Sequence, residues 1–390
     1  MTAIRISDTD RKLIDELKSK IQNELELVPS YSDDLSLLRW LVGWDRKVDV
    51  IVPKIRFSLR AIHALGLHKE DLSTLEKVTA KCDECSKPLQ YLPGSLLGFD
   101  KEGNVISLQM IGRLDVAGLM PCTRNSDLYR MRIAESEARE KEFGKQLGTS
   151  VIFDLDGLSL SQLDVQAMKV VTTMLAQLQE MFPDVIRKIF VINVPPFIQI
   201  LWGMVSPCLA KQTQQKIRIL GNDWKAILKE SIGEDVLYEN WGGTRKADTP
   251  FGHVRTGGKV PLDLRYDSSN DLPADKLQKL VIPARSMEFV PIKVEGSEAG
   301  RKITWWWRLD GNDIGFAVYR SAPGQEKVAE HNDDYMAHPK FRLQTDFVPE
   351  DGEILAEEPG VYKFVFDNTH SKLRSKTVKY CITVVSGLRK

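Results

Sequence analysis

Ile189–Ala210 reads IFVINVPPFIQILWGMVSPCLA, and the way these residues divide decides the fold. No charged side chain interrupts roughly 22 positions, the length of a membrane span. Prolines do interrupt it, at positions 195, 196 and 207, and its first part, Ile189 to Val194, is rich in strand-forming residues. Pro195-Pro196 ends that strand, because proline cannot donate to a ladder, and permits a helix to start after it. The stretch therefore reads as a buried strand followed by an apolar helix at 197–206, not as a spanning segment. A helix beside a sheet is ordinarily amphipathic, whereas this one is apolar nearly all round. Periodicity alone leaves two explanations open. The helix is buried in the core, or it is a lid, with one face over an apolar cavity and the other meeting a bilayer on opening.

Working outward, strands alternate with helices. Val105–Ile111 and Ser150–Leu155 read as strands, and the charged stretch 127–147 between them as an amphipathic helix. Asp164–Met181 reads as a helix, Lys216–Leu220 as a short strand and Asp223–Ile232 as a helix. This alternation predicts an α/β domain over about 85–245, its sheet largely parallel with right-handed crossovers. Residues 1–68 read as a helical module, with Ser7 and Asp10 as caps, an apolar stripe at Leu13, Ile14, Leu17 and Ile21, and a last helix stopping at Gly66. Residues 246–275, rich in Gly, Pro and Asp, suit a linker. Residues 276–387 are all strand and turn. Six or more short strands, such as Ile303–Trp307 and Val361–Phe366, are separated by turn signals at Asp310-Gly311, Glu350-Asp351-Gly352 and Glu358-Pro359-Gly360, which predicts a small β-sandwich. Alternation puts Trp305 and Trp307 on one face and Trp306 on the other, so part of this cluster belongs to the core.

The chain has 390 residues, 42% hydrophobic and 28% charged, a globular composition long enough for two or three domains. Lys plus Arg equals Asp plus Glu at 54 each, so no global field points to nucleic acid. The N-terminus has no apolar secretory stretch and the five cysteines are odd in number, so a reduced, cytoplasmic protein with at most peripheral membrane association is expected. Cys82-Asp83-Glu84-Cys85 has no second pair to complete a zinc site and reads as two surface thiols. The six histidines are scattered, and no nucleophile elbow, phosphate loop or dinucleotide fingerprint is present. Asp154 and Asp156 stand at a strand end, where α/β folds often keep catalytic acids, although capping the next turn is the simpler role. No catalysis, metal or cofactor is expected.

Several motifs in a fixed order carry a resemblance. Asp34–Leu41 (DLSLLRWL) is similar to the opening of the helical CRAL-TRIO N-terminal module, and Val151–Leu158 (VIFDLDGL) to that family's central strand and turn. Met181–Phe197, Lys216–Gly221 and Trp241-Gly242-Gly243 follow in the family's order. Behind them, Trp305–Gly315, Val348–Gly352, Pro359–Tyr362 and Phe366–Asn368 resemble a GOLD β-sandwich. The three-part layout resembles the supernatant protein factor and tocopherol-associated protein family, from about residue 10 to 386.

The resemblance implies a protein that binds one hydrophobic lipid, of phosphatidylinositol or tocopherol/isoprenoid type, in a lidded cavity and transfers it between membranes without catalysis. It places the lid on Phe197–Val205 and implies a lid and lining of Phe153, Leu175, Phe190, Ile192, Val194, Phe197, Ile198, Leu201 and Val205. In inositide-binding members, an acid after a Tyr-Pro pair and a Thr-x-x-Lys serve the headgroup; the matching positions here are Asp184, Thr213 and Lys216. Where many members continue with Arg-Ala-Arg, this chain has Val42-Gly43-Trp44, which removes a basic group and keeps a neutral ligand open. A different class of function, a lipid-regulated adaptor in vesicle or Golgi trafficking whose GOLD domain binds a protein partner, is the alternative.

Overall fold

The structure, a computed structural model, describes residues 6–137, 147–296, 300–328 and 332–385. In chain order the helices and strands up to residue 231 are α1 (Asp8–Lys20), α2 (Gln22–Leu27), α3 (Asp34–Gly43), α4 (Val48–Ala64), α5 (Leu75–Glu84), β1 (Gly94–Phe99), β2 (Val105–Gln109), α6 (Val116–Leu119), α7 (Asn125–Ser136), β3 (Thr149–Asp154), α8 (Val165–Met181), β4 (Ile186–Ile192), α9 (Ile198–Val205), α10 (Lys211–Gln214), β5 (Ile217–Ile219) and α11 (Trp224–Ser231). Residue contacts define two units: Met1–Ile55, Lys69–Leu119 and Arg130–Leu264 form the first, and Arg56–His68, Met120–Tyr129 and Arg265–Lys390 the second.

In the first unit, local chemistry starts the helices. The Ser7 side chain accepts from the Asp10 N–H at the start of α1, and Asp33 accepts from the Ser36 N–H at α3. Asp10 itself is held by Arg46, whose Nε lies 2.6 Å from Oδ1 and draws the carboxyl below its usual range. Ile14 and Leu17 of α1 and Leu37, Trp40 and Leu41 of α3 are buried, and the two helices pack together.

The sheet runs β1-β2-β3-β4-β5, with β1 antiparallel to β2 and every later pair parallel. Asp164 caps α8 by accepting from the Ala167 N–H, and the buried stripe Ala167, Val170, Met174, Met181 follows the helical period. The apolar stretch divides as expected. β4 stops at Ile192, Asn193 turns the chain at φ 52°, Pro195-Pro196 follows, and α9 begins at Ile198. Among the described residues no helix is long and apolar enough to cross a membrane. Of the helix expected at 127–147, α7 is seen to Ser136, and 138–146 lie outside the described residues.

The second unit is a sandwich of two antiparallel sheets built from β6 (Gln278–Ile282), β7 (Met287–Val294), β8 (Arg301–Leu309), β9 (Asp313–Arg320), β10 (Met336–Gln344), β11 (Glu350–Ala356), β12 (Gly360–Asp367) and β13 (Lys376–Val385). One sheet is ordered β10-β9-β12-β7 and the other β11-β8-β13-β6. Trp305 and Trp307 of β8 are buried and cross the core to Phe316, Phe364 and Phe366 of the facing sheet, with ring centroids 5.2–5.8 Å apart. Trp306, on the other face, is partly exposed. One expectation is corrected: Glu350-Asp351-Gly352 is not a turn but the start of β11. Gly352 pairs with Trp305, and a Cβ there would come within 2.4 Å of the indole, so the glycine makes room for the ring rather than bending the chain.

Glu350 is 2% exposed and accepts from the N–H (3.1 Å) and hydroxyl (2.5 Å) of Ser126 in the first turn of α7. Burial raises its carboxyl from 4.5 to about 7, against the lowering effect of the Ser126 bonds and of Arg124; Asp127 adds to the rise. A raised carboxyl contributes stability below pH 4.5 that is lost as pH climbs through 7, because the unfolded chain ionises first. Relative to Glu350→Gln, the wild type is expected to lose on the order of 2–3 kcal/mol of sandwich stability between pH 5 and pH 8. Urea unfolding at both pH values checks this, and parallel pH profiles for the two proteins would refute it.

Candidate functional site

The two faces of the sheet have different fates, and the register assigns them. Glu135 of α7 accepts from Ser107 Oγ (3.3 Å), and Arg132 donates to Gln109 Oε1 (3.2 Å), so α7 lies over the face carrying Ser107 and Gln109. Paired across the sheet, that face continues through Val151 and Phe153 to Ile189 and Val191, and then to Ile217 and Ile219. The parallel strands follow in space the order they have in the chain. Right-handed crossovers therefore put α8 and α9 on the same face as α7. On the opposite face, Ile106, Leu108, Ile152, Phe190 and Ile192 form a packed core with Leu228 of α11, with Ile232 just after it and with Trp241.

The expected lining is thereby divided. Phe153, half-buried, lies on the face that α9 shares, and Leu175 is half-buried on α8. Phe190 and Ile192 are fully buried on the other face, since residues one position apart on a strand point oppositely. The positions matching Phe153 are Ile189 and Val191. Parity with Phe153 would have indicated them, but only once the β3–β4 register was known.

Val194, Phe197, Ile198, Leu201 and Val205 are all half-buried. No residue of α9 is buried, and Ile200 and Met204 are 53% and 36% exposed. A helix with no charged residue and no buried one is unusual: the bland explanation, a core helix, fails on this exposure.

Where β4 ends, three motifs converge. Asp154, buried at the end of β3, accepts from Trp241 Nε1 (3.0 Å) through Oδ2, and from Asn193 Nδ2 (2.8 Å) and the Asp156 N–H (3.1 Å) through Oδ1. Its lone pairs are thus directed at a core indole and at the turn leading into α9. Asp156 is more exposed and 3.8 Å from Arg113. The bonds of Asp154 tie the core to the chain entering α9.

Asp184, with a left-handed φ of 53° and a side chain 7% exposed, is gripped by two cations. Lys216 Nζ lies 2.8 Å from Oδ1 and also donates to the Ile186 carbonyl (2.7 Å), while Arg187 Nη1 lies 2.8 Å from Oδ2. Nε and Nη2 of Arg187 are buried and have no hydrogen-bond partner among the described residues. Two cations on one carboxylate leave the cluster net positive. The sequence carries no spacing signal that points to Arg187, at the second position of β4. Gly43 packs here as well: a Cβ on it would come within 2.5 Å of Pro183 Cβ. Thr213 joins a different partner, its hydroxyl lying 3.3 Å from Gln179 Oε1.

Residues 89–243 match the CRAL/TRIO domain. Protein ctg-1 of Caenorhabditis elegans is 25% identical over 380 residues, covering 93% of this chain and 95% of its own length. Protein real-time of Drosophila melanogaster is 25% identical over 392 residues, covering 90% of this chain, which spans 55% of that protein. The CRAL-TRIO domain-containing protein T23G5.2 of Caenorhabditis elegans is 25% identical over 312 residues and is spanned to 42% of its length. Among solved structures, the crystal structure of Sfh5 aligns with 63% of this chain and 91% of its own, at 17% identity and a TM-score of 0.47.

Proposed function

We propose that this chain is a carrier, not an enzyme: it binds one hydrophobic lipid beneath α9 and passes it between membranes, with α9 as the lid. The observation that carries the reading is α9 itself, uncharged and nowhere buried, beside a sheet face lined by Phe153, Ile189 and Val191. The CRAL/TRIO match over 89–243 supports a hydrophobic ligand. Excluding an acyl chain from water contributes about 0.8 kcal/mol per buried CH₂, so one chain supplies ample affinity. The lid would contact a bilayer only transiently, as a peripheral protein does.

The headgroup reading rests on the Asp184, Arg187 and Lys216 cluster. A phosphate accepts from guanidinium and ammonium groups, and a carboxylate or the Thr213 hydroxyl bonds ring hydroxyls, which favours a phosphatidylinositol-type lipid. Mass spectrometry of lipid extracted from the purified protein tests it. Phosphatidylinositol is expected in the wild type, with at least a tenfold reduction in Lys216→Ala. A tocopherol- or isoprenoid-like lipid, carried equally by both proteins, would leave the carrier reading standing and make the polar cluster structural.

A second reading, a lipid-regulated adaptor, draws on the sandwich, whose motifs resemble a GOLD domain. Val281, Leu355 and Val385 are exposed on the outer face that also carries Trp306, an apolar surface suited to a protein partner. Partner capture that is lost on charging Leu355, with lipid transfer intact, would favour the adaptor.

A further inference from the structure

The chain leaving α9 has backbone groups that no strand or helix satisfies, and one side chain supplies their partners. Gln179, on the last turn of α8, donates from Nε2 to the Cys208 carbonyl (2.7 Å) and accepts at Oε1 from the Ala210 N–H (2.8 Å). These are the carbonyl and N–H of residues two apart, the pair that one residue of a neighbouring parallel strand would engage. The carboxamide thus stands in for a peptide group at the end of the lid. The Thr213 hydroxyl donates to the same Oε1 at 3.3 Å. Gln214 ties the connector to itself, Nε2 reaching the Ser206 and Leu209 carbonyls at 3.0 Å each.

The two ends of α9 are therefore held unequally. At its entry, Asn193 bonds a buried carboxylate that also holds Trp241, and charge-assisted bonds are about twice as strong as neutral ones. At its exit the bonds to Gln179 and those of Gln214 are between neutral groups, most of them partly open to solvent, and the one bond to a carboxylate, from Gln212 Nε2 to Asp45 Oδ1, is exposed and long at 3.5 Å. We infer that Gln179 is a latch for the lid: α9 opens by releasing residues 206–213 from Gln179 while it stays anchored at Asn193. Gln179 is a positioning residue under this assignment, touching the lid's connector and not the lipid. The inference rests on the carrier reading.

The test uses the full chain as wild type, Gln179→Ala and Gln214→Ala, with two readouts. Hydrogen–deuterium exchange follows the backbone at 206–215 against 189–194. Uptake is followed from phosphatidylcholine vesicles carrying pyrene-labelled phosphatidylinositol. In Gln179→Ala, exchange across 206–215 is expected to rise at least tenfold with 189–194 unchanged, and lipid uptake and release to accelerate severalfold at equal final occupancy. Gln214→Ala is expected to shift both readouts the same way by less. Unchanged exchange in Gln179→Ala would overturn the latch. So would loosened exchange with unaltered lipid rates, and in that case the carrier reading survives. A wild type that takes up neither this lipid nor a fluorescent tocopherol from the same vesicles overturns the carrier reading and the latch together.

Discussion

Leu201→Asp in the full chain is expected to leave the melting temperature within about 2 °C of wild type and to slow lipid transfer by about 100-fold. The physical basis is the separation of stability from function along α9. No residue of this helix is buried, so a carboxylate there creates no core cavity and strands no partner. When the lid meets a bilayer, however, the same carboxylate must leave water. A central aspartate costs about 2.5–3.5 kcal/mol on insertion, close to a hundredfold in rate or occupancy. Gln199→Glu is the control, since Gln199 is already polar and exposed. Vesicle-to-vesicle transfer reads the effect. Normal transfer by a folded Leu201→Asp protein would remove the lid from the account altogether.

Asp154→Ala is expected to act in the opposite way, through stability. It would leave the Trp241 indole N–H, the Asn193 amide and the Asp156 N–H without an acceptor around a buried site. Each stranded buried group costs about 1–3 kcal/mol, and the sum is expected to reach about 3–5 kcal/mol. For a unit of this size that lowers its melting transition by roughly 10 °C. Asp154→Asn, with its oxygen in the place of Oδ1, still accepts from the Asn193 amide and the Asp156 N–H and strands only the Trp241 indole, so it should lose about half as much. Calorimetry distinguishes the cases, and a melting temperature unaffected by Asp154→Ala would mean that the three-way junction does not hold the entry to α9.

Most of the first unit was readable before any coordinate. The strand–proline–helix division at 189–206 follows from two prolines and a run of strand formers, both local properties. The helix over Asp164–Met181 and the alternation of Trp305 with Trp307 are equally local. The failures share a cause. Glu350-Asp351-Gly352 has turn composition, yet it lies in β11 because Trp305 on β8, 47 positions earlier, needs the space over Gly352. β10 carries no clear sequence signal, since its pairing shifts register around His338 and the hydrophobic alternation is broken there.

What the sequence determined by itself is the alternation of strands and helices around 189–206, and the existence of one apolar helix too short and too proline-bounded to span a membrane. Propensity, capping and periodicity act over a few residues, so one chain suffices to read them. Tertiary structure alone decided which residues share a surface. Register set Phe153 with Ile189 and Val191 and sent Phe190 and Ile192 into the opposite core. Folding brought Lys216 and Arg187 onto Asp184, and carried Gln179 to the chain beyond α9. A strand's two faces are equivalent until a neighbour is paired, and a side chain reaches its partner across 30 residues only after the sheet has closed the distance.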